Sequence, residues 1–387
     1  MRFLNALDKG LVPILFTVLL LAFGMSFVAP LIPLIIRDVG ASPATIGQIA
    51  SVYFLSFTLF TPFLGRLVDK IGSKRIIVTG LSIYGFCVLT MAFSPSPLYF
   101  YLIRILQGVG SACLFAPTES AINVLSSPNK RSSNMGLYGL VFGVGFALGP
   151  VLGMYLYALY KVLPFISGTV LCLIGLLVMV RGYEDVPIPI KSSKAKVREF
   201  LKILKIPLIG GLCYAVVEVS IGSFLSLYLD YLGFRGASLG VVFTFFAIGG
   251  IISPYPAGRM ADKIGKKPSL FLLGILLAVI TFCFNLFPSY IAIIILTFGV
   301  GVVAGGVYPI ALSLIGDLIP HDRMGTANST FSFLYGVGSI VGPAITGWVV
   351  RLCGMEYFFY PMTAAALAFV IVALLDRKKD QKREQNG

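Results

Sequence analysis

Three ionisable residues, Arg104, Glu119 and Glu218, stand inside long apolar runs whose interiors hold no other charge. A charge is costly in hydrocarbon, so such a side chain within a membrane-spanning segment is a functional candidate by default. Glu218 falls near the middle of its run, on one helical stripe with Gly211, Tyr214, Gly222 and Leu225. Desolvation disfavours the charged form of a carboxyl and wetting restores it. An acid whose surroundings alternate between dry and wet therefore takes up and releases a proton. Two other roles suit the same acid: a fixed hydrogen bond to a Tyr or Asn, and recognition of a cationic solute. Arg104 lies beyond the interfacial Tyr99 and Tyr101, and Glu119 is fifteen residues further on, about 22 Å deeper along a helix. Arg104, Gly108, Ser111, Phe115 and Glu119 share one stripe. The two charges cannot touch, so each needs another partner, unless Glu119 reaches the aqueous interface. Gln107, Phe115, Tyr214, Tyr308, Asn328 and Tyr335 are candidates to line an apolar cavity with a few polar groups, which suits lipophilic organic solutes. The same residue types also pack helices and face lipid.

The elements that must position these residues follow from composition. Of 387 residues 57% are hydrophobic and 12% charged, with a mean hydropathy of +0.94. A soluble domain carries roughly 25% charge, and no soluble fold hides this much apolar surface. Apolar runs fall at 11–36, 44–65, 75–94, 98–125, 133–158, 162–181, 206–231, 237–257, 268–287, 289–316, 324–350 and 356–376. Each is long enough to cross a bilayer as a helix. Backbone groups must be satisfied inside lipid, which leaves helices or closed barrels. Continuous apolar runs, rather than alternation, select helices. The expected fold is thus an all-α membrane protein of twelve spans. The first run is too long for a signal-peptide core. Cys87, Cys113, Cys172, Cys213, Cys283 and Cys353 lie in or near the runs without a C-x-x-C pair and read as buried free thiols. One histidine, His321, in a loop supports no metal site.

Residues 182–205 are polar and Lys-rich and divide the chain, with Val197 to Leu204 fit to lie as an amphipathic helix on the membrane surface. The expected parts are a six-helix bundle over 1–181, this linker, a second six-helix bundle over 206–376 and a basic tail over 377–387. With the N-terminus in the cytoplasm, only Arg37, Lys161, Arg235 and Arg351 of the 30 Lys and Arg fall in outer loops, and Arg104 falls inside a span. The positive-inside rule therefore puts both termini in the cytoplasm. It also accounts for the net charge of +14 without a nucleic-acid partner.

The halves repeat. Gly65-Arg66-Leu67-Val68-Asp69-Lys70-Ile71-Gly72-Ser73-Lys74 returns 193 positions later as Gly258-Arg259-Met260-Ala261-Asp262-Lys263-Ile264-Gly265-Lys266-Lys267. The same offset relates Gly143-Val144-Gly145 to Gly336-Val337-Gly338, and Gly149-Pro150 to Gly342-Pro343. A constant offset across several spans implies two pseudo-symmetric bundles about an axis along the membrane normal, with a solute site near mid-membrane. Each copy of the polar stretch reads as a loop turn, in which glycines let the backbone bend sharply. Its cations, Arg66, Lys70, Lys74 and Arg75, suit lipid phosphates.

These residues resemble the major facilitator superfamily. The turn between spans two and three, Gly65, Asp69, Lys70, Gly72 and Lys74, resembles that family's signature, and its partner copy lies between spans eight and nine. The resemblance implies a cytoplasmic latch in which Asp69 docks on a helix of the other half. At Ser73 the family usually has a base, and Asn123 stands near where an acid is expected; the second copy keeps Asp262, Lys266 and Asp317. Gly136, Gly145, Gly149, Pro150 and Gly153 resemble the antiporter motif of the drug:proton exporters, with Met154 at its last position. Small residues at 136, 139, 143, 145, 149 and 153 give a face for close helix packing, and Pro150 favours a kink. Arg104, Gln107 and Gly108 resemble a span-four motif associated with proton coupling. The resemblance implies a monomeric twelve-span antiporter of a prokaryotic plasma (inner) membrane, exchanging protons for small organic molecules without a cofactor. A facilitator or proton symporter for a metabolite or sugar shares the fold. No P-loop, metal-ligand cluster or nucleophile elbow is present in the sequence, which argues against an ATP-driven pump and against an enzyme.

Overall fold

The computed structural model describes residues 10–126, 131–184, 203–319 and 324–385. Among them the helices are α1 (Leu11–Val28), α2 (Leu31–Asp38), α3 (Pro43–Ile71), α4 (Ser73–Met91), α5 (Pro97–Leu125), α6 (Arg131–Leu159) and α7 (Leu163–Gly182). They continue with α8 (Lys205–Tyr231), α9 (Ala237–Ile252), α10 (Pro254–Ile264), α11 (Lys266–Cys283), α12 (Tyr290–Leu318), α13 (Met324–Cys353) and α14 (Tyr360–Gln385), with a 3-10 turn at Met355–Tyr357. Eleven spans are long and apolar enough to cross a membrane, α1 and α2 together forming the first. The pair α9 and α10, bent by 44°, makes a twelfth. Large apolar side chains such as Phe63, Phe93, Leu102 and Leu352 are exposed. That is the surface expected of helices whose outer solvent is lipid.

The signature stretch is not the loop turn its composition suggests. Helix α3 runs on through Gly65 to Ile71, and α10 carries Gly258 to Ile264. The chain breaks only at Gly72 and Gly265, with φ of 86° and 92°. Both glycines cap the helix that follows, and positive φ is the conformation that a side chain penalises. Gly65 and Gly258 need no such freedom, so the stretch carries its charges on the last turns of a helix. The basic tail likewise begins as a continuation of α14, which reaches Gln385. Most of the linker, including residues 197–202, and His321 lie outside the described residues.

Two compact units are present. The first comprises Met1–Ala41, Val52–Lys191 and Phe234–Thr244; the second comprises Ser42–Ser51, Ser192–Gly233 and Phe245–Gly387. Inside the first, α6 lies against α1. A Cβ on Gly145 would stand 3.1 Å from the Leu19 carbonyl and 2.7 Å from the Ala22 Cβ. In the second, a Cβ on Gly338 would stand 2.3 Å from the Leu212 carbonyl and 3.0 Å from the Ala215 Cβ. Leu212 and Ala215 are Leu19 and Ala22 displaced by the same 193 residues. The pair Gly108 on Tyr53 and Gly301 on Phe246 repeats likewise, with a Cβ 2.4 and 2.0 Å from the carbonyl. The repeat read in the sequence is therefore a repeat of contacts, made where small residues let helix backbones meet.

The small-residue face of α6 is shorter than its spacing suggests. Gly145, Gly149 and Gly153 meet α1, but Gly136 and Gly139 have nothing within 4 Å of a Cβ. Within α6 the packed face begins only at Gly145, near Pro150. There Thr244 donates to the carbonyl of Ala147, three residues before Pro150. Its counterpart in the second unit is Ser51, whose hydroxyl donates at 2.6 Å to the carbonyl of Ile340, three residues before Pro343. Each hydroxyl reaches the carbonyl next to the one whose helical donor the proline removes. Cys87, Cys113, Cys172 and Cys213 are buried as expected, but Cys283 is only half-buried and Cys353, at the end of α13, is exposed.

Candidate functional site

In the second unit, α8 carries Glu218 at the level of Tyr335 on α13. The Tyr335 hydroxyl donates to Glu218 Oε2, and Tyr214, one turn before Glu218 on α8, has its ring 6.1 Å from that of Tyr335. Tyr308 on α12 closes the group, its ring 5.7 Å from that of Tyr335, edge to face, and 5.2 Å from Phe331. Phe331 fits against Gly211, where a Cβ would stand 2.4 Å from the ring. Three of the six cavity candidates thus converge on the acid. Gly222, on the same stripe, faces open space. Asn328 is on α13 and exposed. No cation pairs with Glu218 among the described residues. The carboxyl thus sits among phenols.

In the first unit, the stripe on α5 does not face one lining. Arg104, Gly108 and Ser111 meet α3: the guanidinium lies 4.2 Å from the centre of the Tyr53 ring, and the Tyr53 hydroxyl donates to Ser111 Oγ at 2.9 Å. Gln107 is fully buried and accepts from Arg104 Nη1 at 2.7 Å, so it serves the arginine. Further along, Phe115 packs edge to face with Phe57 on α3 and Phe142 on α6. Glu119 faces Tyr138 on α6, whose hydroxyl stands 3.4 Å from Oε1. A small cavity lined by Val18, Leu21, Leu114, Phe115, Thr118, Tyr138 and Phe142 lies beside it. Sequence reasoning missed Tyr53 and Tyr138. Each is a polar-tipped ring in an apolar run, and only the approach of a second helix singles it out.

The two copies of the signature differ. Lys266 Nζ lies 2.6 Å from Asp317 Oδ2 and also donates to the Ser313 carbonyl at 3.2 Å; Asp262 is exposed. The side chains of Arg66, Asp69 and Asn123 lie outside the described residues. Ser73, in the place where the second copy has Lys266, is fully buried and bonded to the Tyr183 hydroxyl at 2.8 Å. Its small size fits a closed contact between the start of α4 and the end of α7. Restoring a base with Ser73→Arg should therefore lower the melting temperature of the purified protein, because the hydrogen bond between Ser73 and Tyr183 is lost and a long cation enters a buried site, costing about 2 kcal/mol. Melting at the wild-type temperature would show that position 73 is not a packing position.

Repeated helical units with isolated ionisable groups inside their spans define a secondary transporter. The chain belongs to the major facilitator superfamily, whose family model matches residues 14–235 and again 207–387. Its members are transporters of small-molecule solutes, not enzymes. The chain is 28% identical over 366 residues to the uncharacterized MFS-type transporter YfkF of Bacillus subtilis, covering 92% of this chain and 93% of that one. It is 24% identical to YcaD of Salmonella arizonae, an uncharacterized MFS-type transporter, over 94% of both chains. Among solved structures, a bacterial homolog to the human lysosomal transporter Spinster superposes with a TM-score of 0.80 at 16% identity, covering 94% of each chain. The nucleoside transporter NupG superposes with a TM-score of 0.81 at 12% identity, over 95% of this chain and 99% of that one.

Proposed function

We propose that the protein is a proton-coupled antiporter that exports small organic, lipophilic solutes by alternating access. The observation that carries this reading is Glu218: a carboxyl inside a span, held by Tyr335 beside Tyr214 and paired with no cation among the described residues. Proton uptake is the chemistry open to such a group when the site is wetted from one side. Glu218 is the proton carrier, with Arg104 and Glu119 the other charged positions of the coupling set. Gln107, Phe115, Tyr214, Tyr308, Asn328 and Tyr335 belong to the solute path. The bundles over 1–181 and 206–376 are the moving bodies, joined by the linker over 182–205. The signature residues Gly65, Arg66, Asp69, Gly72 and Lys74, with Gly258, Asp262, Gly265, Lys266 and Asp317, close the cytoplasmic side. The antiporter motif Gly136, Gly145, Gly149, Pro150 and Gly153 favours exchange over uptake. The protein works as a monomer in a bacterial inner membrane, with both termini and the basic tail over 377–387 in the cytoplasm, as the Lys and Arg distribution supports.

Reconstituted in proteoliposomes, the protein should accumulate a lipophilic solute against its gradient when a pH gradient is imposed. A gradient of one unit supplies about 1.4 kcal/mol per proton, which sets an accumulation of about tenfold for one-for-one exchange. Flux that is the same with and without the gradient would remove the antiport reading and leave the facilitator.

A further inference from the structure

The first unit holds a half-buried cation that nothing among the described residues neutralises. Among the described residues no acid pairs with Arg104, and the one acid of its helix, Glu119, is fifteen residues along. Tyr53 lies under the guanidinium face, but stacking does not satisfy N–H groups, which point outward in the guanidinium plane. One of them, on Nη1, reaches Gln107 Oε1. Arg104 Nε and Gln107 Nε2 are both buried and have no acceptor. Tyr53 directs its own hydroxyl to Ser111. Two free donors therefore belong to two groups that one hydrogen bond holds side by side, on α5 against α3, around a formal positive charge. Most buried donors in folded proteins are paired.

We propose that Arg104 and Gln107 form a receptor for the carboxylate of an organic anion, so that the solutes carried include lipophilic carboxylates. A carboxylate is planar, carries the missing charge and offers acceptor oxygens of the kind these donors lack. The aromatic face of Tyr53 offers an apolar wall beside it. Identifying the bound group as solute rests on the transporter reading above; the existence of the anion site does not.

The test is a binding measurement on detergent-purified protein, which needs no proton gradient. Benzoate is titrated calorimetrically beside benzyl alcohol, which has the same ring without the charge, and beside sodium chloride at matched ionic strength. Benzoate should bind at least tenfold more tightly than benzyl alcohol. That affinity should fall at least tenfold in Gln107→Leu, which removes the amide at similar volume, and in Arg104→Lys, which keeps a charge but loses the fork. Equal affinity for benzoate and benzyl alcohol in the wild-type protein would overturn the proposal even if neither variant folds. So would unchanged benzoate affinity in a folded variant. If chloride binds and benzoate adds nothing, the pair holds a fixed inorganic counter-ion and is not a solute receptor. Loss of gradient-driven flux with benzoate binding retained would count against the antiporter and leave the anion site standing.

Discussion

Glu218→Gln should abolish accumulation driven by a pH gradient while leaving solute-for-solute exchange in place. The glutamine keeps the shape of the acid and still accepts a hydrogen bond from Tyr335, so the contact between α8 and α13 survives. What it removes is the capacity to bind and release a proton. In proteoliposomes under a one-unit gradient, the roughly tenfold accumulation of the wild-type protein should collapse to equal concentrations on both sides. Counterflow of labelled against unlabelled solute, which needs no net proton movement, should persist. This second measurement separates lost coupling from lost folding. Tyr335→Phe is the milder companion: it deletes one donor to the carboxyl and should alter the pH dependence of flux without erasing coupling. Full gradient-driven accumulation by Glu218→Gln would mean that Glu218 is held for structure or for recognition of the solute, and that Glu119 must be tested next.

Much of the scaffold was legible because membrane spans obey simple rules of length and polarity, and because the same solution is written twice. The offset of 193 residues that joins Gly145 to Gly338 in the sequence also joins the contacts they make, to Leu19 and Ala22 on α1 and to Leu212 and Ala215 on α8. The charges inside the spans do not repeat. The positions 193 residues from Glu218, Arg104 and Glu119 are Met25, Thr297 and Leu312. The glycines that bring helices together are shared by both halves, and the ionisable groups are particular to one, as expected if the first set the fold and the second the chemistry. Some features needed the third dimension. Nothing in the spacing distinguishes Gly139, which faces open space, from Gly153, which meets a backbone. The stretch after Gly65 reads as a turn because it is polar and glycine-punctuated, yet hydrogen bonding carries α3 through it as far as the residue whose φ is positive. The phenols around Glu218 come from α8, α12 and α13, segments far apart in sequence, and only helix packing brings them to one acid.

Gly153→Ala should be the most damaging single-methyl substitution in the antiporter motif. A Cβ there would lie 2.1 Å from the carbonyl oxygen of Phe27 and 2.6 Å from its Cα. Both are backbone atoms of α1, so no rotamer change relieves the clash, and the two helices must separate. At Gly149 the nearest atom is instead the Ser26 hydroxyl. The hydroxyl can turn away, at the cost of its hydrogen bonds to the carbonyls of Ala22 and Gly145, which leaves the Ser26 Cβ at 2.8 Å for a smaller shift of the helices to relieve. Overpacking of a filled contact costs up to about 3 kcal/mol, and in a membrane bundle the loss falls on the close approach that holds the helices together. The expected order of melting temperatures in detergent is therefore wild type above Gly149→Ala above Gly153→Ala. Gly139→Ala should match or exceed the wild type, because the added methyl meets nothing and alanine is the better helix former by up to about 1 kcal/mol. All three glycines share one helix and receive the same methyl, so helix propensity cancels from the comparison and what remains is the distance to α1. If Gly153→Ala melted with Gly139→Ala, the contact between α6 and α1 would not be as close as described, and the motif would have to act by some means other than packing.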